Sequence, residues 1–438
     1  MGAKGKTMKI GVFGLWHLGC VTAACLADLG FDVVGIDSDR NNIEKLSKGG
    51  LPVYEPGLEE LTKKGLSSGK LSFTSELNAA LGKLDLLWVT IDTPVDDQDR
   101  ADVDHVKNQV KRVLPYLKDG CGVVISSQVP VGFTSEMESY AKTELKDRRL
   151  SFSYSPENLR LGKAIEIFKH PDRIVAGIRS ESEKELFAGM FAKISESIIW
   201  MKTESAEMTK HAINAFLALS VTFANELAAI CENVGADAAE VERGLKSEQR
   251  IGPKAYLKAG NAFSGGTLAR DAVFLRDLSK RHLIGNFLFE AILNSNEKHK
   301  GWIRSVCLKT MPGLNKKKIL FLGLSYKTGT DTLRRSLPVE TALWLKSQGA
   351  TVCALDPQLR ELPKDISGSI RMANEADKSI KDAECIIIGN NNPVFKQMAE
   401  QNRALFDGKI VIDPECYLRE QLFGCAGIKY IYVGGFVN

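Results

Sequence analysis

Lys9-Ile-Gly-Val-Phe-Gly-Leu-Trp-His-Leu-Gly19, then Cys20 to Leu29, then Gly30-Phe-Asp-Val-Val-Gly-Ile-Asp37 is the stretch that decides the fold. Lys9–Phe13 is a short apolar run with the composition of a buried strand. The glycine-bearing turn after it leads into a predicted helix from about Cys20 to Leu29, which Gly30 stops. Phe31 to Ile36 is a second buried strand, closed by Asp37. Strand, helix and strand within about 30 residues make a βαβ unit with a parallel sheet. Further apolar strands are predicted at Leu84–Ile91, Gly122–Ser126 and Ile174–Ala176.

The pattern returns near the other end of the chain. Met311-Pro-Gly-Leu-Asn-Lys-Lys-Lys318 has the turn residues and charge of a linker. Ile319–Leu322 is then a strand, Gly323 to Asp331 a glycine-bearing loop, and Val339 to about Ser347 a helix ending near Gly349. Thr351–Leu355 is the next strand, again closed by an acid, Asp356. Between the two units, Glu204 to Val234 contains no Gly or Pro. Gly235 is placed to end this long helix and Thr203 to cap its start. Met208, Ala212, Ala215, Phe216, Leu219, Phe223, Leu227 and Ile230 form its apolar stripe. The expected fold class is α/β, with two Rossmann-like domains joined by a central helical region, the one that the resemblance described below makes a dimerisation region. The expected boundaries are residues 1–200, 201–310 and 311–438.

Bulk properties agree. The 438 residues suffice for about three domains. Hydrophobic residues make up 44% and charged residues 26%, which excludes disordered, collagenous and small disulfide-rich classes. A formal charge of +4 is slight for this length and suggests neither a nucleic-acid nor a membrane partner. Nine scattered cysteines with no CxxC pair fit a reducing compartment, and neither they nor the six histidines have metal-ligand spacing. The apolar window Ala212–Ile230 includes Asn214, Asn225 and Glu226, as suits a buried helix more than a membrane span. The expected location is cytoplasmic.

A glycine turn between a strand and a helix N-terminus gathers backbone N–H groups and the positive end of a helix dipole, which suits a pyrophosphate. Gly14, Leu18 and Gly19 belong to this turn, with His17 beside them. Asp37, 18 residues after Gly19, is placed to bind a ribose hydroxyl and to favour NAD, while Arg40 nearby blurs that preference. Trp16 stands where the G-x-G-x-x-G fingerprint has its middle glycine. From this stretch alone, a dinucleotide site and a βαβ unit that binds no dinucleotide are both open.

An ordered set of segments goes further. Pro52-Val-Tyr-Glu-Pro-Gly57, Ile91-Asp-Thr-Pro94, Gln128-Val-Pro-Val-Gly132, Ser155-Pro-Glu157 and Pro171-Asp-Arg-Ile-Val-Ala-Gly177 occur in the cofactor half. Lys210-His-Ala-Ile-Asn214, Asn225-Glu-Leu-Ala228, Arg250-Ile-Gly252 and Phe263-Ser-Gly-Gly-Thr267-Leu-Ala-Arg-Asp271 follow. Gly323-Leu-Ser-Tyr-Lys327 and Thr330-Asp-Thr-Leu-Arg-Arg-Ser336 complete the series. Together, and in this order, they resemble the UDP-glucose/GDP-mannose dehydrogenase family. The resemblance implies an N-terminal NAD-binding domain, a dimer built on the central helix, and a C-terminal domain that helps bind a nucleotide sugar. It also implies oxidation of the sugar C6 alcohol to a carboxylate by two hydride transfers.

Lys210 and Asn214 are four residues apart and share a helix face. A cation and an amide donor there can stabilise an oxyanion; by spacing alone, a solvated lysine and a structural asparagine are the favoured reading. The resemblance puts this pair beside the reacting carbon, Glu157 and Asp271 near the water or base, and Thr93 and Ser127 on NAD. It puts Arg250, Tyr256, Phe263, Gly266 and Lys327 around the nucleotide sugar, and Arg334 at the cofactor edge. Without it, Phe263 reads as core packing, while for Lys327 and Arg334 a solvated basic loop and charge complementarity to a pyrophosphate are equally open.

Two departures bear on the chemistry. Thr267 stands where the family has its catalytic cysteine, and a threonine hydroxyl is a far poorer nucleophile than a thiol. Gln128 stands where the family has a threonine that helps hold water. Ile412-Asp-Pro-Glu-Cys416 also lacks the family's usual arginine. Three outcomes are compatible with these changes: full oxidation through the aldehyde hydrate, a single oxidation to an aldehyde or keto sugar, and nucleotide-sugar binding without catalysis. The preferred expectation is NAD-dependent oxidation of a UDP-sugar, UDP-glucose or a related hexose, by a homodimer that serves polysaccharide precursor synthesis.

Overall fold

The computed structural model describes residues 7–96, 101–264 and 267–437. It divides into two compact units, Met1–Ala212 and Ile213–Asn438.

The first unit is built on eight strands: β1 (Lys9–Phe13), β2 (Asp32–Ile36), β3 (Leu71–Thr74), β4 (Leu86–Val89), β5 (Gly122–Ile125), β6 (Ser151–Tyr154), β7 (Ile174–Ile178) and β8 (Ile198–Lys202). Their order is β3-β2-β1-β4-β5-β6-β7-β8. Pairing is parallel from β3 to β6, antiparallel between β6 and β7, and parallel again to β8. The central strands β4 and β5 are buried along their whole length, because helices cover both faces of a parallel sheet. The strand order, not the strand direction, reverses between β1 and β4, which opens a crevice at their carboxyl ends.

The second unit carries seven strands: β9 (Lys318–Leu322), β10 (Thr351–Leu355), β11 (Arg371–Met372), β12 (Cys385–Ile388), β13 (Ile410–Ile412), β14 (Lys429–Tyr432) and β15 (Gly435–Val437). Their order is β11-β10-β9-β12-β13-β14-β15, parallel except for β15. The first six strands of each sheet thus have the same spatial order. The second unit also holds helices Ala238–Ser247, Thr267–Arg281, Phe287–Lys300 and Trp302–Thr310. The predicted α/β class with two Rossmann-like sheets and a helical centre is the observed one.

Three local expectations change. The nucleotide helix runs His17–Asp28, three residues longer at its start than the apolar pattern indicates. Trp16 is extended at φ −99° and its carbonyl accepts from the Cys20 amide, so Gly19 lies inside the first turn. Thr203 is the first residue of the long helix Thr203–Val234 and not a cap, because β8 ends at Lys202 and leaves no loop. Its buried hydroxyl has no partner. Most unexpectedly, the buried face of that helix is small and polar: Ala206, Lys210, Asn214, Ala218, Asn225 and Ala228. Phe216, Phe223 and Ile230 of the predicted apolar stripe, and Val234 beyond it, are exposed. The helix is long and apolar enough to cross a membrane, yet half of its most apolar window is buried and its buried asparagines are hydrogen-bonded, as in a core helix.

Candidate active site

The glycine turn after β1 is fixed by sterics. Gly14 has φ +97°, and a Cβ there would lie 2.8 Å from the Ile91 backbone. A Cβ on Gly19 would lie 1.9 Å from the Gly14 carbonyl oxygen. Trp16 has a negative φ, a backbone conformation open to any residue, and its indole is 51% exposed. The Asp37 carboxylate accepts from the Leu15 amide at 2.7 Å and the Asp39 amide at 3.0 Å. Asn42, on the helix Arg40–Ser47, donates to the Leu15 carbonyl, so both backbone polar groups of Leu15 are held by side chains that follow the second strand. Arg40 extends to Glu76 at 3.8 Å, with both side chains largely in solvent.

A cleft of about 660 Å³ opens here, lined by Gly14, Leu15, Trp16, Asp37, Ile91 and Asp92 among others. Thr93 donates to the Gln128 carbonyl at 2.6 Å, and the Ser127 hydroxyl is buried without a partner. A cradle that excludes any Cβ, an acid at the end of β2 and an unsatisfied buried hydroxyl suit a bound dinucleotide. Leu18 faces a second, small pocket of about 80 Å³ that it shares with Trp88 and Glu157.

The start of the long helix grips two loops of the same unit. Glu207 is buried and accepts from the Gly132 and Thr134 amides and the Thr134 hydroxyl. Burial raises its pKa while those bonds pull it down. His211 meets the Val129 carbonyl at 3.0 Å. Lys210, only 5% exposed, donates to the Glu157 carbonyl at 2.5 Å and meets the Glu157 carboxylate at 3.2 Å. The other Glu157 oxygen accepts from the Leu159 amide at 2.9 Å. Behind this loop, the Trp88 indole donates to Ser126, whose hydroxyl donates to the Ser155 carbonyl at 2.5 Å. A buried cation beside an ordered carboxylate can steady a developing oxyanion and hold a proton or water close by.

In the second unit, Asn214 donates to Asp271, and both are buried. Asp271 lies one turn after Thr267, the exposed first residue of its helix. The Phe263 ring packs with Ala218, Val221, Ala272 and Ile292, while Asn296 holds its backbone N–H and carbonyl. Arg250 is exposed and pairs with Glu248 at 2.9 Å, and Tyr256 is also exposed. Lys327 and Arg334 lie exposed in the loop after β9. Gly266 lies outside the described residues. That loop repeats the first one in detail: Gly323 has φ +95°, and Asp356 accepts from the Leu324 and Ser325 amides at 2.8 Å. A cavity of about 830 Å³ runs along β9, β10 and β11 and touches none of these residues.

The structure therefore joins Glu157 to Lys210, and Asp271 to Asn214. It leaves Arg250 and Tyr256 in solvent and seats Phe263 in a small core. Glu55, Glu207 and the Trp88–Ser126–Ser155 chain were not singled out from sequence, since each acts on residues far along the chain.

Residues 8–195 match the UDP-glucose/GDP-mannose dehydrogenase family, NAD binding domain; 204–298 match its central domain; 320–420 match its UDP binding domain. A UDP-glucose 6-dehydrogenase of Rhizobium meliloti (strain 1021) is 30% identical over 436 residues, covering 98% of this chain and 99% of that protein. A UDP-glucose dehydrogenase from the hyperthermophilic archaeon Pyrobaculum islandicum is 29% identical with a TM-score of 0.88, covering 99% of each chain. A UDP-D-ManNAc dehydrogenase from Pyrococcus horikoshii shares the fold at 23% identity and a TM-score of 0.81, over 98% of this chain and 99% of that one. The chain belongs to the UDP-glucose/GDP-mannose dehydrogenase family and is an NAD-dependent nucleotide-sugar dehydrogenase with an NAD-binding and a UDP-binding domain.

Proposed function

We propose that the chain oxidises UDP-glucose, or a closely related UDP-hexose, at C6 to the uronic acid, in the cytoplasmic synthesis of polysaccharide precursors. The Lys210–Glu157 contact carries this proposal: a buried ammonium is held against a carboxylate in the NAD-binding unit. Full-length similarity to a UDP-glucose 6-dehydrogenase supports the choice of sugar.

Bound NAD would supply the hydride acceptor at the Gly14–Gly19 turn. Lys210 neutralises the oxygen as the alcohol loses its hydride and proton. Glu157 orders water or takes a proton at its carboxylate. Asn214, held by Asp271, presents an amide donor one helical turn from Lys210. Gln128, Thr93 and Ser127 border the cofactor, and Arg334 its outer edge. Arg250, Tyr256, Phe263, Gly266 and Lys327 belong to the substrate side.

Thr267 in place of the family's catalytic thiol removes the ordinary covalent step. No cysteine lies between Cys231 and Cys307. The aldehyde is then oxidised as its hydrate: water adds to the carbonyl, and the same carbon would pass a second hydride to a second NAD while a hydroxyl proton goes to Glu157 or water. The same observation favours a second reading, release of the aldehyde after one hydride. Residues 201–310 form the dimerisation and active-site region. The exposed Phe216, Phe223, Ile230 and Val234, on one side of the long helix, are the surface for a second copy; a monomer by light scattering contradicts this. Nine free cysteines are at home in a reducing cytoplasm.

The substrate is tested by kcat/KM across UDP- and GDP-sugars with NAD, with products identified by mass spectrometry. UDP-glucose should rank first and yield the acid. Turnover of GDP-sugars alone would overturn the proposal.

A further inference from the structure

Glu55 is 2% exposed, a rare setting for a carboxylate, and its oxygens hold three partners from two places in the chain. Oε2 meets His17 Nε2 at 2.8 Å and accepts from the Gly162 amide at 2.8 Å. Oε1 accepts from the Ala164 amide at 2.8 Å. His17 is the first residue of the nucleotide helix, next to the turn formed by Gly14 to Gly19. Gly162 and Ala164 end the loop whose other end carries Glu157. A second contact runs parallel: Leu18 and Thr22 of the nucleotide helix line one small pocket with Pro156, Glu157 and Leu159. The loop that presents Glu157 to Lys210 therefore leans on the helix whose N-terminus receives the pyrophosphate.

A buried carboxylate is tolerated because its donors are fixed, and it fixes them in return. Immobilising the glycine turn would immobilise His17, and through Glu55 the 157–164 loop. We propose that His17 and Glu55 are positioning residues that couple dinucleotide binding to the placement of Glu157. This rests on the dehydrogenase reading above, in which Glu157 serves the reaction and the dinucleotide binds at Gly14–Gly19. Neither residue touches the reacting atoms in this scheme. They make the site productive only when the cofactor is in place.

The test is amide hydrogen exchange of residues 157–164 in the full chain, with and without saturating NAD, with occupancy fixed by calorimetric titration. Wild type should exchange several-fold more slowly across 157–164 when NAD is bound. His17→Ala, which removes the ring contact to Glu55, should bind NAD yet lose that slowing. His17→Gln, which keeps an N–H donor, should restore it. Turnover should follow, with kcat down about tenfold in His17→Ala and KM for NAD changed far less. Equal slowing in His17→Ala and wild type, or no response to bound NAD in wild type, overturns the coupling and leaves the dehydrogenase reading standing. Failure of wild type to bind NAD overturns both.

Discussion

Replacing Lys210 by Met removes the ammonium and keeps the unbranched stem that packs in the long helix. Two contacts disappear, to the Glu157 carbonyl at 2.5 Å and the Glu157 carboxylate at 3.2 Å. Breaking a fully buried ion pair costs about 3–5 kcal/mol. The Glu157 side chain is 25% exposed, so water takes over part of the contact and the stability loss should be nearer 1–3 kcal/mol. The loss in rate is separate. Removing one donor to a developing oxyanion lowers kcat about 10²–10³-fold. Initial rates of NADH formation at saturating NAD and UDP-glucose give kcat, and denaturant unfolding gives stability. Glu157→Gln and the double variant complete a cycle. If the pair acts as a unit, the double variant should be little slower than Lys210→Met, with a coupling of about 1–3 kcal/mol. Undiminished kcat in Lys210→Met, with only KM raised, would make Lys210 a binding residue and refute its role at the oxyanion.

Gly19→Ala would drive a Cβ to 1.9 Å from the Gly14 carbonyl, so the turn must shift. NAD affinity by titration should fall about tenfold or more, and stability by about 1–3 kcal/mol; unchanged affinity would contradict the steric account. His299 reaches the Gly260 carbonyl at 2.8 Å, and burial lowers its pKa below the ordinary 6.5. The folded state keeps it neutral while the unfolded chain takes a proton, so its contribution is present above about pH 6.5 and lost as pH falls through the folded pKa. His299→Gln should show a flatter stability curve as pH falls below about 6.5; identical curves would contradict this. Thr267→Cys should raise the rate of the second oxidation and yield a covalent acyl-enzyme detectable by mass spectrometry; no adduct and no gain would count against family-like geometry at this position.

The two sheets were legible because a βαβ unit writes itself locally. Apolar strand, glycine turn, helix and terminal acid fall within some thirty residues, twice over, and Asp37 and Asp356 close their loops by the same bonds. The shared face of Lys210 and Asn214 follows from helix geometry in the same way. The long helix was legible in extent but not in orientation. Its large apolar residues point outward, and its inner face is built from alanines and hydrogen-bonded polar groups that a hydrophobicity pattern assigns to solvent. The supports of the site were not legible either. Glu55 meets Gly162 and Ala164 across more than 100 residues, and Glu207 meets Thr134 across 73. Each looks like an ordinary surface acid until the chain is folded. Trp16 shows the opposite case: it breaks the glycine pattern, yet its backbone takes an ordinary extended conformation and the glycine-dependent turn at Gly14 and Gly19 still forms.

The central claim is that this site carries a nucleotide sugar through both oxidations without a thiol at position 267. The most direct measurement is the NADH formed per mole of UDP-glucose consumed, at completion, with NAD in excess. Two NADH per sugar, with the uronic acid as product, is the result predicted here. One NADH, with an aldehyde or keto sugar left in solution, would contradict full oxidation and assign the halt to Thr267.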